Sequence, residues 1–308
     1  MPVQLQRIPS QPIEATYKAR EVEGIVDLGF YRPLGYRLAQ IFARLNFTPT
    51  AVTLVGGVFG IIAGHLYFYR SLAVNIAGLA FHALANVFDN ADGQLARLTN
   101  QQTRTGRILD PLVDHLVWFS IYFHLALRLA DGSAAIWVLA VAAGISHALQ
   151  AAAADYWRNA YLYFAKGRRE FDSAATIKEE YDRYDWSNDP WAKFLLLLYL
   201  NVAREQELVL PGVKKLHDRV KAAAVNEVPD WFRARYRADV VATFKCWGLL
   251  MTNTRMLILF VVFLLRQPTG FFWLELTAGN LLLFYLIRRQ EKISGALTRL
   301  LARPSQSA

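Results

Sequence analysis

The residues best suited to chemistry lie close together. The segment Asn86-Val-Phe-Asp-Asn-Ala-Asp-Gly-Gln-Leu-Ala-Arg97 is followed, after a short polar stretch, by Gly106-Arg-Ile-Leu-Asp-Pro-Leu-Val-Asp114. Asp89 and Asp92 are three residues apart, and Asp110 and Asp114 four apart. On helices each pair therefore shares one face. If the two helices are antiparallel neighbours, four carboxylates meet in one site. Such a cluster repels itself at low dielectric unless it is protonated or bridged by cations. An oxygen-only set without His or Cys suits Mg2+ or Mn2+, and two ions roughly 3.5 to 4 Å apart are a usual arrangement for phosphoryl transfer. Gly93, Ala96 and Gly106 punctuate the same region and let a bulky ligand or a neighbouring backbone come close. Arg97, one turn beyond the acidic face, is placed to hold a phosphate oxygen. Taken singly, each residue has a plainer reading, as a helix cap or a packing contact; the combination favours a site.

The elements that must position these residues are apolar. Of 308 residues, 54% are hydrophobic and 19% charged, and the mean hydropathy is +0.19, which excludes disorder, collagen and small disulfide scaffolds. The apolar residues fall in six runs: 53–68, 72–88, 116–127, 134–154, 246–265 and 271–287. Most approach the ~20 residues that cross a bilayer core. The expected fold is an all-α integral membrane protein with six transmembrane helices; a soluble protein with buried core helices is the less fitting alternative. With a cytoplasmic N-terminus, residues 1–49, 89–108, 156–245 and 288–308 hold 6, 3, 16 and 5 of the 34 Lys and Arg residues. The outer turns hold Arg70, Arg128 and Arg266. This bias puts the aspartates at the cytoplasmic face, of the inner membrane if the source is bacterial. It also accounts for the net charge of +9 without nucleic acid, for which no binding motif is present. Residues 1–30 are polar and mixed in charge, so no cleavable leader is expected. The single cysteine, Cys246, allows no intrachain disulfide and no zinc cluster.

Two further elements flank the bundle. Residues 29–48 place Leu34, Leu38, Ile41, Phe42 and Leu45 near one helical face. This reads either as an amphipathic interfacial helix on the inner leaflet or as an ordinary packing helix. Between the fourth and fifth runs, residues 158–238 form a charged insert, expected to be cytoplasmic and helical. Within it, Lys178–Arg183 reads as an exposed helix and Trp191–Asn201 as a helix too short to span. The chain is taken as one membrane domain, 1–308.

Written as Asp-x2-Asp-Gly-x2-Ala-Arg-x8-Gly-x3-Asp-x3-Asp, residues 89–114 resemble the signature of the CDP-alcohol phosphotransferases at every fixed position. The resemblance implies a transferase that displaces CMP from a CDP-linked lipid or alcohol in favour of an acceptor hydroxyl. It implies that Asp89, Asp92 and Asp110 bind metal, and that Asp114 contacts a second ion and acts as general base. Gly93, Ala96, Arg97 and Gly106 would border the cytidine diphosphate. It also implies membrane lipids as surroundings and a homodimer. Two positions depart from common family patterns: Thr50 follows Pro49 where Asn is frequent, and His115 follows the last aspartate where Arg or Lys occurs in some subgroups.

Residues outside the signature lean toward a phosphorylated acceptor. Arg104, Arg107, Arg158 and Arg255 are candidates for its phosphate, because a membrane-depth arginine needs a partner. Alternatively, Arg255 pairs with Asp239 or a motif aspartate, and Arg158 with Asp155 or a headgroup phosphate. His82, His124 and His147 read as packing or hydrogen-bonding residues. The favoured function is transfer of a phosphatidyl group from CDP-diacylglycerol to inositol phosphate or glycerol phosphate. CDP-choline or CDP-ethanolamine enzymes and serine-using relatives are the alternatives, and a transporter or a membrane scaffold is the non-enzyme reading.

Overall fold

The computed structural model describes residues 12–16, 19–168, 170–223 and 228–302. Residues 1–11, which carry part of the leader reading, lie outside the described residues, as do 169 and 224–227 of the insert. The described residues form helices and no strand. In chain order these are α1 (Arg32–Arg44), α2 (Pro49–Tyr67), α3 (Leu72–Leu98), α4 (Arg104–Leu129), α5 (Ala134–Phe164), α6 (Ala174–Asp182) and α7 (Pro190–Val209). They continue as α8 (Pro211–Ala222), α9 (Asp230–Val240), α10 (Phe244–Leu249), α11 (Thr252–Leu264), α12 (Thr269–Leu274) and α13 (Asn280–Ala302). Six segments are long and apolar enough to span: Pro49–Tyr67, Leu72–Leu98, Arg104–Leu129, Ala134–Phe164, Asp230–Leu264 and Thr269–Ala302. The protein is an all-helical, multi-pass integral membrane protein.

Contacts divide the chain into two compact units, Met1–Ile145 with Thr252–Leu276, and Ser146–Met251 with Thr277–Ala308. In the first unit, α2 is the thin centre between α3 and α4. Thr48 caps it by accepting from the Ala51 N–H at 3.2 Å, and Pro49 opens its first turn. Gly60 on α2 faces α4: a Cβ there would lie 2.7 Å from Val117 Cγ1 and 3.1 Å from Val117 Cβ. Gly56 faces α3 the same way, with Phe88 Cβ 2.8 Å from a Cβ placed on it. Because α2 carries hydrogens at these positions, the helices bearing the two aspartate pairs both lie hard against it. α1 packs on α3 through Gly35, Ala39 and Ala43, with Ala91, Leu95 and Leu98 opposite. Farther from the aspartates, Tyr67, Trp118, Tyr122, Phe263, Phe271 and Phe272 form the aromatic core.

In the second unit, α8 and α9 pack on α13. The Gly212 N–H donates to Glu291 Oε1 at 2.8 Å, and Trp157 stacks on Trp247 with ring centroids 5.3 Å apart. Ser173 and Thr176 form a capping box at the start of α6.

Several boundaries differ from the apolar runs. α3 extends to Leu98 and α4 begins at Arg104, so all four motif aspartates ride on polar extensions of spanning helices. The fifth run is not continuous. α10 ends in a tight turn, where the Leu250 N–H bonds the Trp247 carbonyl and the Met251 N–H that of Gly248, and α11 restarts at Thr252. The sixth passes through a π-type segment, Glu275–Gly279, before α13. The helix expected over 29–48 is an α-helix only over Arg32–Arg44, preceded by a π-type turn Asp27–Tyr31 and ended near Asn46 at φ 57°. The first residues of the 158–238 insert belong to α5, which runs to Phe164. Trp191–Asn201 lies inside a 20-residue helix, α7, longer than its apolar core suggests because Val202–Val209 continue the helical pattern with buried Ala203 and Gln206.

Candidate metal and phosphate site

The antiparallel pair α3–α4 brings the carboxylates together. One oxygen from each of Asp89, Asp92 and Asp110 lies within 4.8 Å of the others. Among the described residues this is the one group of three or more acidic, His or Cys side chains close enough to hold a metal. Asp114 lines the same pocket. Asp92 is buried, Asp110 half-buried, and Asp89 and Asp114 open to solvent, so the cluster has a closed side and an accessible one. Oxygen donors of this kind fit a hard divalent cation.

Local sequence explains this placement. The N-cap Thr103 accepts from the Gly106 N–H at 3.0 Å, starting α4 nearly two turns before Asp110. Pro111 sits inside the helix; lacking an N–H, it leaves the Arg107 carbonyl without its helical donor. Asp92 is held from α2: the Thr53 hydroxyl donates to Asp92 Oδ2 at 2.5 Å. The motif pattern gave no hint of this residue. Its signal was its place on the α2 face next to Gly56 and Gly57, which also line the pocket with Asn86 and Thr252.

Arg97 follows the cluster by one turn. Its Nε and Nη2 are buried with no hydrogen-bond partner among the described residues, although Arg32, Glu23, Asp92 and Asp110 are near enough for their charges to act on it. Arg32 is instead committed to Glu23 in a buried ion pair of 2.9 Å. A Cβ on Gly93 would lie 3.3 Å from Arg97 Nη2, so the glycine leaves the guanidinium its room. Gly106 faces Thr103 Oγ1, 3.1 Å from where its Cβ would be, with Thr50 Oγ1 at 4.0 Å. Ala96 is half-buried.

The basic residues are more scattered. Arg104 and Arg107 stand half-buried at the start of α4 and already have partners. Arg255 is buried, and its Nε donates to Glu275 Oε1 at 3.0 Å. Glu275 was not among the partners that the sequence suggested for Arg255, and Asp239 accepts from Arg235 at 3.0 Å. Sequence alone missed Glu275 because it lies 20 residues away, across the turn between α11 and α12. Arg158 belongs to the second unit and bonds Asp155 at 2.5 Å, one of the two partners its position suggested. His82 is buried in the first unit and lines the aspartate pocket.

Oxygen ligands at the polar ends of two membrane helices, beside an arginine whose Nε and Nη2 have no hydrogen-bond partner among the described residues, form a group able to hold a metal ion. Residues 46–168 match the family model of the CDP-alcohol phosphatidyltransferases, a family of transferases. Archaetidylinositol phosphate synthase of Pyrococcus horikoshii is 31% identical over 91 residues, 30% of this chain and 47% of that protein. The putative cardiolipin synthase of Mycobacterium tuberculosis is 39% identical over 61 residues, 20% of this chain and 29% of that protein. The chain therefore spans less than half the length of the curated relatives it matches.

Proposed function

We propose that the protein transfers a phosphatidyl group from a CDP-linked lipid, with CDP-diacylglycerol as donor, to the hydroxyl of a polyol phosphate at the cytoplasmic membrane face. The observation that carries this reading is the convergence of Asp89, Asp92 and Asp110 within 4.8 Å, with the unpartnered Arg97 one turn away. Asp89, Asp92 and Asp110 would hold Mg2+ or Mn2+, with Asp114 as a ligand of a second ion, and metal bound there would supply positive charge to offset that of the diphosphate. Arg97 donates to a phosphate oxygen. Gly93, Ala96 and Gly106 let the nucleotide lie close to the helix surfaces. Asp114, on the accessible side, takes the proton of the acceptor hydroxyl. The new bond joins the acceptor oxygen to the lipid-bearing phosphorus, the bond from that phosphorus to the bridging oxygen breaks, and CMP leaves.

The polyol-phosphate acceptor, inositol phosphate or glycerol phosphate, is supported by the name of the Pyrococcus relative, an archaetidylinositol phosphate synthase, and by Arg104 and Arg107 in the first turn of the helix that carries Asp110 and Asp114. Arg255 and Arg158 are weaker acceptor ligands, since Glu275 and Asp155 already offset their charge. The same reading takes residues 1–308 as one working membrane domain and the active particle as a homodimer. Acids grouped at one polar end of the helices fit this reading better than a transport path, which needs them at mid-bilayer depth.

The test is CMP release by purified protein in lipid or detergent, with Mg2+ or Mn2+, CDP-diacylglycerol and a panel of alcohols. Acceptor-dependent release that disappears in Asp114→Asn is the expected result. Release only from CDP-choline or CDP-ethanolamine would move the protein to the aminoalcohol branch, and none from any donor would overturn the enzyme reading.

A further inference from the structure

The aspartate pocket does not end at the aspartates. It reaches His82 on α3, together with Gly57, Val117 and Trp118. Seven residues of helix separate His82 from Asp89, about 10 Å along the axis. The imidazole is 1% exposed and meets the Trp118 ring edge-on at 5.3 Å. Its Nδ1 lies 3.2 Å from the Tyr67 hydroxyl. Its Nε2 is buried and has no partner among the described residues.

The tautomer follows from Tyr67. That side chain is fully buried, and among the described residues His82 is the one hydrogen-bond partner recorded for its hydroxyl. A hydroxyl that donates to Nδ1 satisfies both groups with one bond and leaves the hydrogen on Nε2. The alternative tautomer would strand the tyrosine O–H as well as the imidazole Nε2, a second buried polar group without a partner. His82 therefore presents an N–H donor to an apolar-walled end of a pocket whose other end is acidic.

We propose that His82 Nε2–H binds a backbone oxygen of the lipid donor, the ester carbonyl beside the diphosphate, and so discriminates glycerolipid donors from other CDP-linked molecules. This rests on the transferase reading above. The cations and Arg97 account for the phosphates at the acidic end. What then enters beside His82, against Val117 and Trp118, must be largely apolar yet offer an acceptor-only oxygen within a few bonds of the phosphate. A glycerol ester has that composition; a free polyol phosphate would lose its hydration against these walls.

The experiment compares wild type with His82→Phe and His82→Gln, the latter keeping an N–H donor. Donor KM is measured for CDP-diacylglycerol and for a single-chain CDP-alkanol lacking backbone ester oxygens, at saturating acceptor. Thermal stabilisation by each donor and by CDP alone is measured in parallel. His82→Phe is expected to raise the diacyl KM about tenfold relative to that for the alkanol, the loss of about one hydrogen bond. The effect falls on KM more than on kcat, and His82→Gln recovers most of it. Equal effects on both donors, a change confined to acceptor KM, or no change at all, as for a buried water only, would overturn the proposal. If wild type releases no CMP, the transferase reading falls, while a diacyl-specific loss of thermal stabilisation in His82→Phe still decides the role of His82.

Discussion

Replacing Gly60 by alanine adds one methyl group where α2 crosses α4, and the structure says why so small a change should reach the active site. The new Cβ would stand 3.1 Å from Val117 Cβ and 2.7 Å from its Cγ1. Rotating Val117 cannot relieve the first contact, because Cβ does not move with χ1, and a helical valine has a single strongly preferred rotamer in any case. Ordinary carbon contacts lie at about 3.5–4.0 Å, so the helices must separate by roughly half an ångström. Overpacking of this kind costs about 1–3 kcal/mol. The larger consequence is geometric: α4 carries Asp110 and Asp114, whereas Asp89 and Asp92 are on α3, and a misplacement near 1 Å can cost about a hundredfold in rate. Gly60→Ala is therefore expected to lower CMP release by about ten- to a hundredfold, with a reduced Tm in detergent. Gly57→Ala is a milder comparison, since Val113 Cβ is 3.8 Å from the added atom and only Cγ1, at 2.5 Å, must swing away. Adding Val117→Gly to Gly60→Ala removes the blocking Cβ and should recover activity, while Tm recovers less because a glycine inside α4 costs about 1 kcal/mol. Full activity in Gly60→Ala, or no recovery in the double variant, would refute the claim that close approach of α2 sets the spacing of the carboxylates.

Other outcomes follow from single contacts. Thr53→Val keeps the shape but removes the donor to Asp92, and is expected to lower kcat/KM about tenfold and raise the metal concentration needed for half-maximal rate, with Thr53→Ser close to wild type. Glu275→Gln leaves Arg255 charged and buried without its counter-ion, a loss of about 3–5 kcal/mol; a chemical-denaturation series in detergent should show it, and Arg255→Met with Glu275→Leu should restore much of it. In the second unit, burial against Tyr163 and Phe171 holds the His217 imidazole below its ordinary range, with Asp218 opposing and Lys221 and Lys214 reinforcing the shift. The unfolded chain then takes up the proton first, so this contribution to stability is whole above about pH 6.5 and declines as the pH falls toward the folded-state value. Thermal unfolding between pH 7.5 and 5 should be steeper in wild type than in His217→Gln, and parallel curves would contradict the assignment.

Much of this protein is legible in the order of its residues, because the signals involved are local. Six apolar runs announce spanning helices, since a bilayer demands about twenty consecutive residues that satisfy their own backbone. The three- and four-residue spacings of Asp89, Asp92, Asp110 and Asp114 announce two acidic helical faces by periodicity alone. What the sequence could not supply was anything resting on which helices touch. The fifth run looks uninterrupted in hydropathy, yet its helix breaks at Leu250 and Met251, because a hydrogen-bonded turn leaves no mark on an apolar composition. Glu275 became the counter-ion of Arg255, Thr53 the support of Asp92, and the Tyr67 hydroxyl the group that orients His82, each across 15 to 39 residues. Such pairings depend on helix rotation and separation, which arise from the packing of Gly56 and Gly60 against their neighbours. The sequence alone thus determined the chemistry available and the elements bearing it. Tertiary structure decided which groups meet, because only close packing fixes a distance between residues that the chain itself leaves far apart.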